Sequence, residues 1–101
     1  MQKAHLNLIK YALSSGCAIS VWDGGDDWEV YKSTSYKAIK DAIEAVEEAE
    51  IKIYKNDDYV GWARIIFDWH QEPDEIVSDY TLTPFMEQWG NQYTKLCFDA
   101  A

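Results

Sequence analysis

Acidic side chains are the residues of this sequence whose types and spacing point most directly to a chemistry. The chain has 18 Asp and Glu residues against 9 Lys and Arg, for a formal net charge of −9 at pH 7. Surfaces with excess negative potential attract cationic partners and speed their association. The carboxylates that we expect at such a surface lie at the end of a predicted helix and in two predicted turns: Glu44, Glu47 and Glu48; Asp26 and Asp27; Asp57 and Asp58.

The carboxylates at the end of the predicted helix oppose its dipole, which favours basic residues there by about 0.3–1 kcal/mol per charge. Stability alone therefore does not select this arrangement. One interpretation is a solvated helix face that strong packing elsewhere tolerates, and the other is an acidic surface displayed to a basic partner. A stricter form of the second is DNA mimicry, in which carboxylates take the place of phosphates in a basic groove.

Aromatic residues are the second feature, with 5 Trp, 7 Tyr and 3 Phe in the chain. Alternation along the predicted strands places Trp22, and either Trp62 or Trp69, on the sheet face that points away from the helices. Aromatic residues are enriched at interface hot spots, so Trp22 and Trp62 are predicted partner-binding anchors. The alternatives are packing of these rings against the C-terminal segment and a homodimer formed through this face.

No residue pattern predicts a catalytic or metal centre. His70 lies near Asp68 and Glu72, but no spacing in the chain suggests a nucleophile–His–acid set. The acidic turn at residues 23–27 lacks the Asp-x-Asp-x-Asp-Gly order and the late Glu of an EF-hand. We expect no enzyme activity, no cofactor and no metal, and a small-ligand site beside His70 is a third, weaker hypothesis.

Hydrophobic periodicity predicts the elements that position these residues. Apolar side chains recur at helical spacing around Ile9 and Ile43, and alternate with polar ones around Ile19 and Ile51. The predicted helices span residues 2–15, 36–49 and 84–89, and the predicted strands span 17–22, 28–32, 50–55 and 59–69. Residues 70–79 are predicted to be a loop with a short extended piece at 76–77, and the chain beyond Gly90 is either further helix or a docked tail.

This order, α-β-β-α-β-β-α, predicts an α+β fold. We expect an antiparallel four-stranded sheet built from two β-hairpins, with the helices on one face. With 101 residues and no linker, the chain is predicted to be a single domain in which residues 70–101 form a less regular C-terminal segment.

Charge and cysteine content limit the classes of partner and compartment. A net charge of −9 argues against direct binding to nucleic acid or to anionic membranes. The N-terminal residues lack the pattern of a signal peptide, and Cys17 and Cys97 are too few and too far apart for a disulfide framework. We therefore expect a cytoplasmic protein with free thiols.

Three stretches of the sequence carry a resemblance to known proteins. Residues 19–24 (Ile-Ser-Val-Trp-Asp-Gly), 78–80 (Ser-Asp-Tyr) and 84–86 (Pro-Phe-Met) look like stretches of small acidic proteins encoded by bacteriophages and prophages. The resemblance implies a non-enzymatic accessory protein made in the cytoplasm of an infected bacterium, where many such proteins bind and block a host protein. It assigns no role to any single residue.

The sequence thus predicts a small, acidic, non-catalytic interaction protein that binds a basic host protein, such as a defence or nucleic-acid-processing factor, and inhibits or redirects it. The alternative is a phage structural or assembly protein that forms homo-oligomers through an aromatic sheet face.

Overall fold

The computed structural model describes residues 3–25, 28–67 and 76–99, with the side chains of 96–99 excepted. Helices and strands follow one another in the order α1 (Ala4–Ser14), β1 (Cys17–Trp22), β2 (Val30–Ser33), α2 (Tyr36–Glu44), β3 (Glu48–Lys55), β4 (Asp58–Ile66), β5 (Val77–Tyr80) and α3 (Pro84–Asp99). The predicted α+β class is confirmed.

The sheet has five antiparallel strands in the order β2-β1-β3-β4-β5, so the predicted number of four strands is wrong. The added strand is β5, which pairs Val77 with Ile65 and Tyr80 with Ala63. Its central residues, Ser78 and Asp79, are polar and exposed, so the segment carries no hydrophobic alternation by which it could be recognised. Residues 77–80 form a strand because they pair with the outer edge of β4. Without this pairing, a row of backbone N–H and C=O groups of β4 would have no hydrogen-bond partner.

The second helix ends at Glu44 instead of continuing to residue 49. Ser35 caps its N-terminus, since the Ser35 side chain accepts a hydrogen bond from the Ala38 backbone N–H. Residues 45–50 are good helix formers, but Ala49 and Ile51 alternate onto the buried sheet face and pair with β4. The predicted helical position of Glu47 and Glu48 is therefore wrong: Glu47 lies in the connection and Glu48 begins β3.

The last helix is longer than the predicted span of 84–89, because it continues through Gly90 to Asp99. Met86, Trp89 and Tyr93 follow at intervals of three and four residues and are buried along one stripe. The C-terminal segment is predicted to be less regular, but residues 77–80 form a strand and residues 84–99 form a helix.

The fourth strand is predicted to span residues 59–69. It begins one residue earlier and ends at Ile66, and residues 68 and 69 lie outside the described chain.

All three helices pack on one face of the sheet. The core joins the inward residues of the central strands, such as Ile19, Ile51 and Ile65, to Leu8 of α1, Ile43 of α2 and the buried stripe of α3. Among the described residues, no helix is both long enough and apolar enough to cross a membrane.

Candidate protein-binding face

The side of the sheet opposite the helices, here called the open sheet face, carries a cross-strand row of polar and aromatic side chains. Trp22, Glu50 and Arg64 are direct neighbours across β1, β3 and β4. Ser20, Lys52 and Trp62 form the next row. Because Cys17, Ile19 and Val21 are buried against the helices, alternation turns Trp22 to the open side, as predicted. Ser20 is buried at the β2 side of this face, where the Lys32 N–H donates to its hydroxyl group. The C-terminal helix, an alternative predicted cover for these rings, packs on the other side of the sheet.

The cations of the open sheet face lie over aromatic rings. Arg64 is 5.8 Å from the ring centre of Trp62, and Lys52 is 5.5 Å from that of Trp28. Lys32 lies 4.8 Å from the ring of Tyr54. Such contacts are each worth about 0.5–1 kcal/mol at exposed sites. They hold the aromatic side chains in place while leaving Trp22 and Trp62 half-buried.

One end of the open sheet face, here called the Trp22 end, contains a groove of about 290 Å³ lined by Trp22, Asp23, Gly24, Glu48, Ala49, Glu50 and Arg64. The indole Nε1–H of Trp22 donates to the Gly25 carbonyl (2.7 Å), and Asp23 Oδ1 accepts from the Gly25 N–H (3.0 Å). These bonds fix the 23–25 turn against the indole. Asp23 and Gly24 of this turn therefore form one wall of the groove beside the indole.

Carboxylates outnumber cations at the Trp22 end. Arg64 reaches Glu50 at 3.5 Å and Glu48 at 3.9 Å, both long separations for ion pairs between partly exposed groups. A hydrogen bond with Asp23, together with its charge, raises the pKa of the exposed Glu29. Within residues 3–25, 28–67 and 76–99, the Trp22 end thus carries the carboxylates of Asp23, Glu29, Glu48 and Glu50 beside the guanidinium of Arg64.

The opposite end of the face, at the β3–β4 turn, has balanced charge. Asp57 pairs with Lys32 at 3.3 Å, and this hydrogen bond raises the pKa of Lys32. Asp57 is 88% exposed, and Asp58 beside it is also exposed. At roughly 3.3 Å per residue, Glu48 and Lys55 at the two ends of β3 are about 23 Å apart. Asp57 and Asp58 therefore form a group separate from Glu48.

Glu44 belongs to the helix layer and not to the open sheet face. It accepts hydrogen bonds from His5 Nε2 (2.8 Å) and from Lys40 Nζ (2.9 Å). Burial opposes ionisation of Glu44, but these two donors outweigh it and lower its pKa. Glu44 is therefore paired within the helix layer, and its role in binding a partner stays a prediction.

The structure brings together only some of the predicted partner-binding residues. Trp22, Trp62 and Glu48 share the open sheet face; Glu47 lies exposed just before β3. Asp26 and Asp27 lie outside the described residues. Glu50 and Arg64 complete the site. Glu50 stood out in the sequence only as a carboxylate near the end of the predicted second helix, and Arg64 not at all, because their placement depends on the register between β3 and β4.

His5 is a further residue whose contact the sequence did not predict, since its partner Glu44 is 39 positions away. Cys17 is buried, and burial raises the pKa of its thiol. In the described part of the chain, no three His, Cys, Asp or Glu side chains are grouped so that they could hold a metal ion. Asp68, His70 and Glu72, the hypothetical small-ligand site, lie outside that part.

Both edges of the sheet are interrupted. On β5, the Thr81 N–H donates to Trp62, so the Tyr80 N–H points to the outer edge, where Asp79 Oδ1 accepts from it at 2.9 Å. On β2, Lys32 has a positive φ of 46°, and its N–H donates to the Ser20 side chain. At the β5 edge the Tyr80 N–H is therefore occupied and does not offer itself to an added strand. At the β2 edge the Lys32 N–H points inward to β1.

Comparisons of this chain with protein-family models, with curated proteins and with solved structures each find no match.

Proposed function

We propose that this chain is a small, non-catalytic interaction protein that docks a basic host protein on its open sheet face and inhibits or redirects it. The observation that carries the proposal is the combination of two half-buried tryptophans, Trp22 and Trp62, with the carboxylates of Glu48 and Glu50 on one face of the sheet. A phage origin and a partner that handles nucleic acid or serves in defence rest on the sequence resemblance.

The tryptophans supply the binding energy in this proposal. Trp22 and Trp62 stand on adjacent rows of the central strands, and contacts with Gly25 and Arg64 already restrict both rings. A restricted ring loses little entropy when a partner covers it, so more of the burial energy appears as affinity. Trp and Arg are also the residue types most enriched among interface hot spots.

The net charge supplies the preference for a basic partner. A chain with a charge of −9 attracts cationic macromolecules at long range. At close range the Trp22 end presents its excess carboxylates, whereas Lys32 and Lys52 lie between them and the acidic turn at Asp57. A continuous phosphate-like row is absent from the described face, so the proposal rests on docking and not on DNA mimicry.

The test is affinity capture from bacterial lysate with the wild type and three single variants in parallel. Trp62→Ala removes an anchor, and Glu48→Lys reverses a charge at the Trp22 end. Glu87→Lys is the matched control, because Glu87 is an exposed carboxylate on α3, in the helix layer. Circular dichroism first confirms that each variant is folded.

The expected result is a protein with a basic isoelectric point that the wild type and the Glu87→Lys variant retain equally. The Trp62→Ala and Glu48→Lys variants should retain several-fold less of it. Equal retention by all four proteins would refute docking on the open sheet face, and retention of only acidic proteins would refute the charge argument.

Homo-oligomerisation through the same face is the second candidate. Three aromatic rings on or beside this face are solvent-exposed: Trp28 (36%), Tyr31 (64%) and Tyr59 (48%). Size-exclusion chromatography with light scattering separates the two functions. A dimer at micromolar concentration that Trp62→Ala converts to a monomer would favour self-assembly, whereas a wild-type monomer contradicts it.

A further inference from the structure

We propose that the groove at the Trp22 end binds an arginine side chain of the partner, with its guanidinium stacked on the Trp22 indole and paired with Glu48 and Glu50. This inference rests on the proposed function and specifies the chemistry by which the open sheet face recognises its partner.

The first argument is the shape of the groove. Its volume of about 290 Å³ lies just below the roughly 300–1,000 Å³ of small-molecule sites, so it suits one long side chain better than a cofactor. Trp22 forms one wall, and its hydrogen bond to Gly25 holds the indole in place. A planar cation placed on a fixed indole gains a cation–π contact without ordering a loose ring.

The second argument is a guanidinium already present beside the groove. Arg64 lies over the ring of Trp62 and reaches Glu48 and Glu50, so its surroundings show that this face accommodates a guanidinium on an indole between carboxylates. Glu50 stands between Arg64 and Trp22 in the cross-strand row. The far side of Glu50 offers the same combination of indole and carboxylate.

The third argument is charge complementarity between the two ends of the open sheet face. Among the described residues, Asp23, Glu48 and Glu50 line the groove together with Arg64, which pairs with Glu48 and Glu50. Glu29 adds a carboxylate beside Asp23, and a hydrogen bond with Asp23, together with its charge, raises the pKa of Glu29. The other end pairs Asp57 with Lys32. An added positive charge is therefore favoured at the Trp22 end. Arginine fits better than lysine, because a planar guanidinium can stack on the indole and bridge carboxylates at once.

The test is an NMR titration of the full chain with N-acetyl-arginine amide. The uncharged isostere, N-acetyl-citrulline amide, is titrated in parallel. The readout is the indole N–H signal of Trp22, assigned with a Trp22→Phe variant. We expect a saturable shift with the arginine compound and none with the citrulline compound.

Two variants test the carboxylates. Glu50→Gln should weaken binding of the arginine compound by roughly two- to fivefold, the range for loss of one exposed ion pair. Asp58→Asn, at the opposite end, should leave it unchanged. A Trp22 signal that does not move, that moves equally with citrulline, or that responds equally in both variants would overturn the proposal.

The outcomes also separate this inference from the proposed function. If the Trp22 indole signal does not shift while the Trp62→Ala variant no longer captures the partner, arginine binding in the groove is refuted and docking on the open sheet face is retained. If the Trp22 signal shifts saturably while the Trp62→Ala variant captures the partner as well as the wild type does, docking on the open sheet face is refuted. The groove would then be a site for a cation and not part of a partner interface.

Discussion

His5 lies inside the contact between α1 and α2, and only one of its ring nitrogens is satisfied. Nε2 bonds to Glu44, whereas the buried Nδ1 has no hydrogen-bond partner among the described residues. The ring also meets Phe67 edge-on at 5.1 Å. Protonation would place a second N–H in this site without an acceptor, which is costly. Burial accordingly lowers the pKa of His5, although Glu44 opposes the shift and Lys3 and Lys40 add to it.

This site predicts that the chain loses stability as the pH falls below 6.5, the ordinary pKa of histidine. Below that pH the unfolded state binds a proton at His5 and the folded state does not, until the pH reaches the lowered folded-state pKa. Glu44 adds a second loss below its ordinary pKa of 4.5, because its folded-state pKa is also lowered. Urea unfolding at a series of pH values measures both effects.

The matched variant is His5→Leu, which keeps the apolar contact with Phe67 and removes the titrating group. Its stability should vary less than that of the wild type between pH 6.5 and pH 4.5. Parallel curves for the two proteins in this window would contradict the assignment of the pH dependence to His5.

The third helix packs against the sheet at two glycines. A Cβ on Gly61 of β4 would overlap Met86, and a Cβ on Gly90 of α3 would overlap the hydroxyl group of Tyr80 on β5. Trp89 then packs edge-on against Tyr80 and stacks on Tyr93. Because these two glycines have no side chain, α3 can approach β4 and β5 closely. This close contact explains why α3 contains Gly90, although glycine is unfavourable in helix interiors.

Gly90→Ala should therefore destabilise the protein, although alanine is the better helix former by about 1 kcal/mol. Overpacking against Tyr80 costs about 1–3 kcal/mol, so we expect a net loss of about 1 kcal/mol. Asn91→Ala is the control, since Asn91 is the next, exposed residue of the same helix and should show no loss. Urea unfolding that finds Gly90→Ala as stable as this control would refute the close packing.

The described residues include two groups of carboxylates, those that are paired with basic side chains near the helices or the β3–β4 turn and those at or beside the Trp22 end. Glu44 is paired with His5 and Lys40, and Asp57 is paired with Lys32. Glu48 is exposed at the Trp22 end, and Glu47 is exposed beside it in sequence. Reversing Glu44 would also disrupt the α1–α2 contact, which makes it unsuitable for testing binding.

Association with the captured partner should slow as ionic strength rises, because salt screens charges beyond about 10 Å at 0.1 M. The double variant Glu47→Lys/Glu48→Lys should slow association further than Asp41→Lys/Glu87→Lys, which changes the net charge equally on the helix side. Stopped-flow or surface-plasmon measurements at several salt concentrations give both rates. Equal rates for the two variants would show that only net charge matters.

Several features followed from the sequence because they depend on residues close together in the chain. The period of three to four residues around Ile9 and Ile43 predicted α1 and α2, and alternation around Ile19 predicted that Trp22 faces away from the core. The α+β class followed from the order of these patterns. Each is a local property, since a helix or strand buries one side of itself whatever its neighbours are.

Other features were decided only in three dimensions. Ser78 and Asp79 form a strand because β4 offers them a partner, and Gly90 stays helical because α3 lies against Tyr80. The cross-strand row of Trp22, Glu50 and Arg64 and the pairing of His5 with Glu44 likewise join positions far apart in the chain. Strand register and helix packing minimise the energy of the whole fold, so the composition of any one segment could not reveal them.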